Sequence, residues 1–222
     1  MYSGMVNAVY ALGRVTPNGV TPLGTATLLN RDGLLVTAAH VTNHDDNNLV
    51  VIFPRNSSLS EYQDMSNLEV RYVDVKINSV NPLYDICILE GANGTNLRGA
   101  SNLDITGLDN INVGEKLNVF GFPDLNFGRM ILTKQETDLG AKVLIENTGL
   151  KVKYGVINLL SRQGQSGSPV VHNNNLIGIL IGPYLPKQSG GISIGGIDPH
   201  TLHPATHIVS ASYIEEMLED NV

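Results

Sequence analysis

Apolar runs of strand length, each closed by turn residues, recur along nearly the whole of this 222-residue chain. Val6–Val15, Gly24–Asn30, Leu34–Ala39, Leu49–Phe53, Leu68–Val80 and Asp85–Leu89 form a first series. Lys116–Gly121, Met130–Gln135, Ala141–Glu146, Gly155–Leu159, Ser168–His172, Leu176–Ile181 and His207–Ser210 form a second. Arg31-Asp32-Gly33 is a hairpin signal between two of these runs. Short strands at regular spacing need a closed or two-layered arrangement to cover their apolar faces, so the chain is expected to be all-β. Gly91–Gly114, rich in Gly, Asn and Asp, reads as the connection between halves. The expected architecture is two six-stranded antiparallel β-barrels packed together. Residues 1–108 would form the first and 109–222 the second. Only the end is patterned as a helix, at about 212–220. Ser212 and Glu215 have capping-box spacing, and Tyr213/Met217 and Ile214/Leu218 are i,i+4 pairs.

Composition narrows the function classes. The chain is 42% hydrophobic and 16% charged, which is globular. A net charge of −7 argues against a basic face for nucleic acid. The single cysteine, Cys87, excludes an intramolecular disulfide, so a reducing, cytoplasmic setting is expected. Met1-Tyr2-Ser3-Gly4-Met5 lacks the basic and apolar regions of a signal peptide. No apolar run approaches the roughly 18 residues of a membrane-spanning helix, so no membrane partner is expected.

Three segments carry chemistry. In Gly164-Gln165-Ser166-Gly167-Ser168-Pro169 a serine stands between glycines and ahead of an apolar run. A serine hydroxyl is a weak nucleophile that needs an adjacent base. Small neighbours let the N–H groups of Gly164 and Ser166 face a developing oxyanion. His40 ends the small and apolar run Leu34–Ala39, from which it can lean into a cleft and exchange a proton with the serine. Asp85 opens the apolar run Ile86-Cys87-Ile88-Leu89. A carboxylate there is costly unless paired, and orienting His40 through Nδ1–H would satisfy it.

Taken together, these segments resemble the trypsin-like serine peptidases. Gly24-Thr25-Ala26 with Leu34 to Val41 is similar to their histidine region, Tyr84 to Leu89 to their aspartate strand, and Gly164 to Pro169 to their serine turn. Val113 to Pro123 is similar to the opening of the second barrel in bacterial HtrA-type members. The resemblance implies a serine endopeptidase acting through an acyl-enzyme, with the site between two barrels. His40 would be the base, Asp85 its orienter and Ser166 the nucleophile, with the Gly164 and Ser166 amides as the oxyanion hole. It also implies a polypeptide substrate and a primary pocket lined by Leu160, Ser161, Leu180, Ile181 and Gly182. No carboxylate stands at Leu160, so an apolar or small P1 side chain is expected rather than Arg or Lys. Pro183 has no N–H to give a substrate strand.

The departures from the family pattern are specific. Gln165 stands where zymogen-activated members have aspartate, and no Ile-Val-Gly-Gly start exists, so activation by N-terminal cleavage is not expected. Ser168 replaces a commoner glycine, as in glutamyl endopeptidases, but Leu180 stands where those enzymes carry histidine. No peptide-binding PDZ module is expected after the final helix. Two competing readings are a protease-like scaffold of little turnover and a protease domain switched on by a protein partner. The Gln163–Gln165 turn and the Pro183–Pro199 loop are where such a partner would act.

Other features are set aside. His200, His203 and His207, near Asp198, have ligand-like spacing, but a proline-broken loop does not align ligands as a helix face does. No metal or cofactor is expected. His44 with Asp45 and Asp46 follows His40 but adds no better account of it. His172 is expected to be solvated in a hairpin turn, Cys87 to be a small core residue, and Glu215, Glu216, Glu219 and Asp220 to be a solvated helix face.

Overall fold

Successive side chains of a strand point to opposite faces, so a run apolar on both faces must lie between two cores. The computed structural model describes residues 3–31, 33–95, 97, 102–183 and 205–219, and such runs form its centre. The first barrel contains β1 (Val9–Thr16), β2 (Gly19–Leu28), β3 (Leu35–Ala38), β4 (Leu49–Ile52), β5 (Tyr72–Asn81) and β6 (Ile86–Gly91). It closes in the order β1-β2-β3-β6-β5-β4. A short helix, α1 (Ala39–Thr42), follows β3. The second sheet contains β7 (Asp104–Ile105), β8 (Lys116–Gly121), β9 (Thr133–Asn147), β10 (Leu150–Ile157), β11 (Pro169–His172), β12 (Asn175–Pro183) and β13 (Thr206–Ser210). Its order is β11-β8-β9-β10-β13-β12-β7, and pairing of β11 with β12 closes it. Helix α2 (Ser212–Glu219) ends the described chain.

Three apolar clusters follow from this topology. Leu12, Leu28, Leu35, Cys87 and Leu89 fill the first barrel. Leu117, Val119, Leu139, Ile177 and Ile208 fill the second. Val9, Val36, Ile86, Ile88, Phe120, Phe122, Ile179 and Val209 lie between them, joined by Tyr213, Ile214 and Met217 of α2. Strand β6 shows the logic. Cys87 and Leu89 face the barrel interior while Ile86 and Ile88 face the interface, and none is accessible to solvent.

Several boundaries differ from expectation. Residues 133–135 of the expected Met130–Gln135 run and the whole of Ala141–Glu146 belong to one strand, β9, which starts only at Thr133. Residues 133–138 pair with β8 and residues 139–147 with β10. Gly140 lies at the register shift, where a bulge turns the strand from one partner to the next. Residues 3–7 form a 3₁₀ turn ahead of β1. The connection between halves contains β7, which runs parallel to β12. Asp32 of the expected hairpin turn lies outside the described residues.

Helix α2 buries the predicted i,i+4 face, but Glu215 does not close a capping box. It pairs with Arg31 at 3.3 Å, and Glu216 accepts a hydrogen bond from the Tyr84 hydroxyl. Tyr84 also stacks on Tyr213, ring centres 4.0 Å apart. Glu216 and Glu219 are exposed, as expected of a solvated face, while the Glu215 and Glu216 contacts tie α2 to the first barrel. Asp220 lies outside the described residues. No helix among the described residues is long and apolar enough to cross a membrane.

Candidate active site between the barrels

His40 follows the end of a strand, as expected, but Ala39 and His40 belong to a short helix: the chain leaves β3 at Ala38. It turns into α1, whose N-cap residue, Ala38, has no side chain to bind the free N–H groups of the first turn. Asp85 supplies the acceptors from another strand. Its main-chain carbonyl accepts from Ala39 N–H at 3.0 Å, and its Oδ1 accepts from His40 N–H at 2.8 Å. Its Oδ2 lies 2.6 Å from His40 Nδ1. One aspartate thus caps the helix and fixes the imidazole. Asp85 has φ +55°, a left-handed conformation that aspartate tolerates better than most residues. Burial, with Asp85 nearby, pushes the Tyr154 hydroxyl above its ordinary range, so it remains protonated. Tyr154 packs edge-on against His207, ring centres 6.3 Å apart.

Gly24 is the narrow point between the histidine and serine segments. A Cβ there would come within 2.8 Å of Val41 and 2.9 Å of the Ser166 carbonyl oxygen. The next residue, Thr25, donates its N–H to that carbonyl at 2.9 Å. The serine turn is therefore pinned against the barrel that carries His40.

Every peptide bond described is trans, so each N–H in the serine turn points away from the carbonyl before it. Gln163 O accepts from Leu125 N at 3.3 Å, and Gln165 O accepts from Ser168 N at 2.9 Å. The N–H groups of Gln165, Gly167 and Ser168 bind Arg162 O, Leu180 O and Gln165 O. Among the described residues, the N–H groups of Gly164 and Ser166 have no acceptor. The turn requires its glycines. Gly164 and Gly167 have φ +93° and +87°, and a Cβ on either would meet backbone at 2.4 Å or less.

Gln165 is fully buried. Its Oε1 accepts from Arg162 N–H at 2.7 Å, and its Nε2 donates to Gln135 Oε1 of β9 at 2.5 Å. A neutral side chain thus braces the loop from inside. Ser168 fits because Gly121 faces it: a Cβ on Gly121 would lie 1.9 Å from Ser168 Oγ.

The Ser166 hydroxyl donates to Ile181 O at 2.8 Å. A hydroxyl has one proton, so in this arrangement it is not directed at His40. Ile181 lies at a register shift between β12 and β13, where its carbonyl turns toward the serine. Leu180 is buried in the second barrel's core, Gly182 is buried with φ +142°, and Leu160 is 40% exposed. Ser161 donates its N–H to the Thr206 hydroxyl at 3.1 Å.

Other residues singled out in the sequence have different occupations. Cys87 is buried, and burial pushes its thiol up to about 11. His172, at the end of β11, is partly exposed and lies 3.1 Å from Glu115 and 3.0 Å from the Lys116 carbonyl. Asp45 pairs with Arg14, and Asp46 accepts from Ile77 N–H. His200 and His203, with most of the Pro183–Pro199 loop, lie outside the described residues. Sequence reasoning assigned no role to Thr25 or Gln135. The signal at Thr25 was a hydroxyl in a buried strand, which needs a partner.

No curated protein sequence matches the chain. Among solved structures it is similar to the MamO protease domain from Magnetospirillum magneticum, with 15% identity, a TM-score of 0.69 and 98% of each chain covered. It is also similar to the active form of the Rv3671c protease from M. tuberculosis, with 17% identity and a TM-score of 0.65, covering 97% of this chain and 81% of that one. A third is the HtrA-type protease AlgW with a tripeptide, at 18% identity and a TM-score of 0.64, where 98% of this chain covers 61% of the other. These likenesses show the shared fold. The sequence pattern of the trypsin-like peptidase domain matches residues 24–179, and the chain belongs to that family of serine peptidases.

Proposed function

We propose that the protein is a serine endopeptidase that cleaves polypeptides through an acyl-enzyme, with His40, Asp85 and Ser166 as its catalytic triad. The observation that carries this reading is the pair of unengaged N–H groups at Gly164 and Ser166, in a turn where the neighbouring amides are bound. Two such donors fit the oxyanion of a tetrahedral intermediate. Asp85 supports the same reading. It holds Nδ1 of His40 as a donor, which leaves Nε2 with the lone pair that takes the Ser166 proton and later returns it to the leaving amine. The hydroxyl would first leave Ile181 O by rotation about its Cα–Cβ bond.

The primary pocket would be formed by Leu160, Ser161, Ile181 and Gly182, with Leu180 buried behind them in the barrel core rather than lining it as expected, and would take an apolar or small side chain. Pro183 offers no N–H to a substrate strand. Replacing Ser166 with alanine is expected to abolish both peptide hydrolysis and fluorophosphonate labelling while the protein still unfolds cooperatively. Labelling that persists in the variant would overturn the assignment.

The bond from Ser166 to Ile181 O favours a second reading, in which the site rests until a protein partner reshapes β12. Wild-type protein that labels only after a partner is added would support it, and labelling at full rate alone would remove it.

A further inference from the structure

Thr25 stands on the barrel opposite the serine turn, 139 residues away in sequence from Gly164. It is fully buried. Its hydroxyl donates to Gly164 O at 2.7 Å, and its N–H donates to Ser166 O at 2.9 Å. These two carbonyls belong to the residues whose N–H groups are free. Thr25 also makes a longer contact as acceptor from Phe122 N–H, at 3.4 Å. Its own carbonyl accepts from the Thr37 hydroxyl at 2.7 Å, which locks Thr25 to β3, immediately ahead of α1 and His40.

We infer that Thr25 is a positioning residue for the oxyanion hole, holding the Gly164 and Ser166 amides in register with the barrel that carries the base. This rests on the reading of Ser166 and the two amides given above. The Gly164–Gln165 peptide is fixed at both ends, by Thr25 Oγ1 on its oxygen and by Arg162 O on its N–H. Gly164, with φ +93°, lacks the side-chain restraint that would otherwise hold such a turn. Without the Thr25 hydroxyl that peptide keeps only its bond to Arg162 O, and because it lies between the Gln163–Gly164 and Gln165–Ser166 peptides, which carry the Gly164 and Ser166 N–H groups, a tilt of its plane turns those two N–H groups from their aim. Thr25 touches neither substrate nor reacting atoms. It acts through the loop, so its loss weakens the transition state more than substrate binding.

The test compares Thr25→Val, which keeps shape but removes the donor, with Thr25→Ser, which restores it. Thr25→Ala serves alongside them in case the valine packs badly in a buried site. Turnover is measured on the best-cleaved member of a peptide library. Fluorophosphonate labelling rate and inhibition by a peptide aldehyde, whose adduct places an oxygen in the hole, are measured beside it. Small misplacements of catalytic groups cost about tenfold to a hundredfold, so Thr25→Val and Thr25→Ala should lose that much in kcat, labelling rate and aldehyde affinity. KM should stay within about threefold, and Thr25→Ser should recover most of the loss. Values for folded Thr25→Val or Thr25→Ala within twofold of wild type, while Ser166→Ala is inactive, would overturn the role of Thr25 alone. Wild-type protein that does not label, or Ser166→Ala that does, would overturn the underlying reading as well.

Discussion

Replacing Gly121 with alanine puts a methyl group where Ser168 already stands. The new Cβ would lie 1.9 Å from Ser168 Oγ, 3.1 Å from Ser168 Cβ and 3.2 Å from Thr25 Oγ1. Rotating the Ser168 side chain moves its oxygen but leaves its Cβ in place. The main chain cannot easily yield, because Ser168 N–H is bound to Gln165 O and Ser168 O to Leu180 N–H. Overpacking in such a site costs about 1–3 kcal/mol. In a chain of this size each kcal/mol lowers the melting temperature by about 2–4 °C. Ser168→Gly removes both crowded atoms, and Ser168 Oγ has no hydrogen-bond partner among the described residues to lose. Its own cost is the added freedom of a glycine, about 1 kcal/mol. The double variant should therefore be more stable than the sum of the singles by about 1–2 kcal/mol. Urea unfolding of all four proteins measures this coupling. Strict additivity would show that the two residues do not share the space described here. Turnover provides a second readout, since a displaced Ser168 moves Ser166 two residues earlier, and Gly121→Ala should lose activity that Ser168→Gly restores.

Other perturbations reach the remaining parts of the site. Asp85→Asn should lower kcat by about 10⁴-fold with little change in KM, and a loss below tenfold in steady-state kinetics would count against Asp85 as the orienter. Gly167→Ala places a Cβ 2.0 Å from Thr25 O and 2.4 Å from Thr37 Oγ1 at a positive φ. It should cost more than about 3 kcal/mol, and a melting curve close to wild type would contradict this. Burial holds His207 below its ordinary 6.5. The unfolded chain therefore takes up that proton first, and stability should decline as pH falls below 6.5. His207→Leu should flatten this limb in urea titrations at several pH values. Burial pushes the Cys87 thiol up from 9.0 to about 11, so stability present below pH 9 should fall as pH rises toward 11. At pH 8, iodoacetamide should modify Cys87 in urea but not in the native protein, and rapid native modification would refute its burial.

The strand pattern was legible because burial of a strand writes a local, period-two signal. Strand β8 falls where its run predicts, at Lys116–Gly121. The split placed within β9 reflects a different situation. Gly140 reads locally as a break, but the strand continues because each part finds a different neighbour. Helix α1 was hidden for a similar reason. Its run is apolar and strand-like up to Ala39, and the helix depends on acceptors from Asp85, 45 residues away from His40. The site segments were visible because Ser166, His40 and Asp85 each sit in short motifs with unusual neighbours.

The sequence by itself determined an all-β chain with a serine turn, a histidine and an aspartate in the order of a trypsin-like peptidase. Tertiary structure alone decided how the turn is held. Gln165 is braced by Gln135 in place of a charge, Ser168 sits against Gly121, and Thr25 reaches across from the other barrel. The reason is physical. Apolar periodicity and turn chemistry act between near neighbours, whereas these side chains and carbonyls meet only after two barrels have closed and packed.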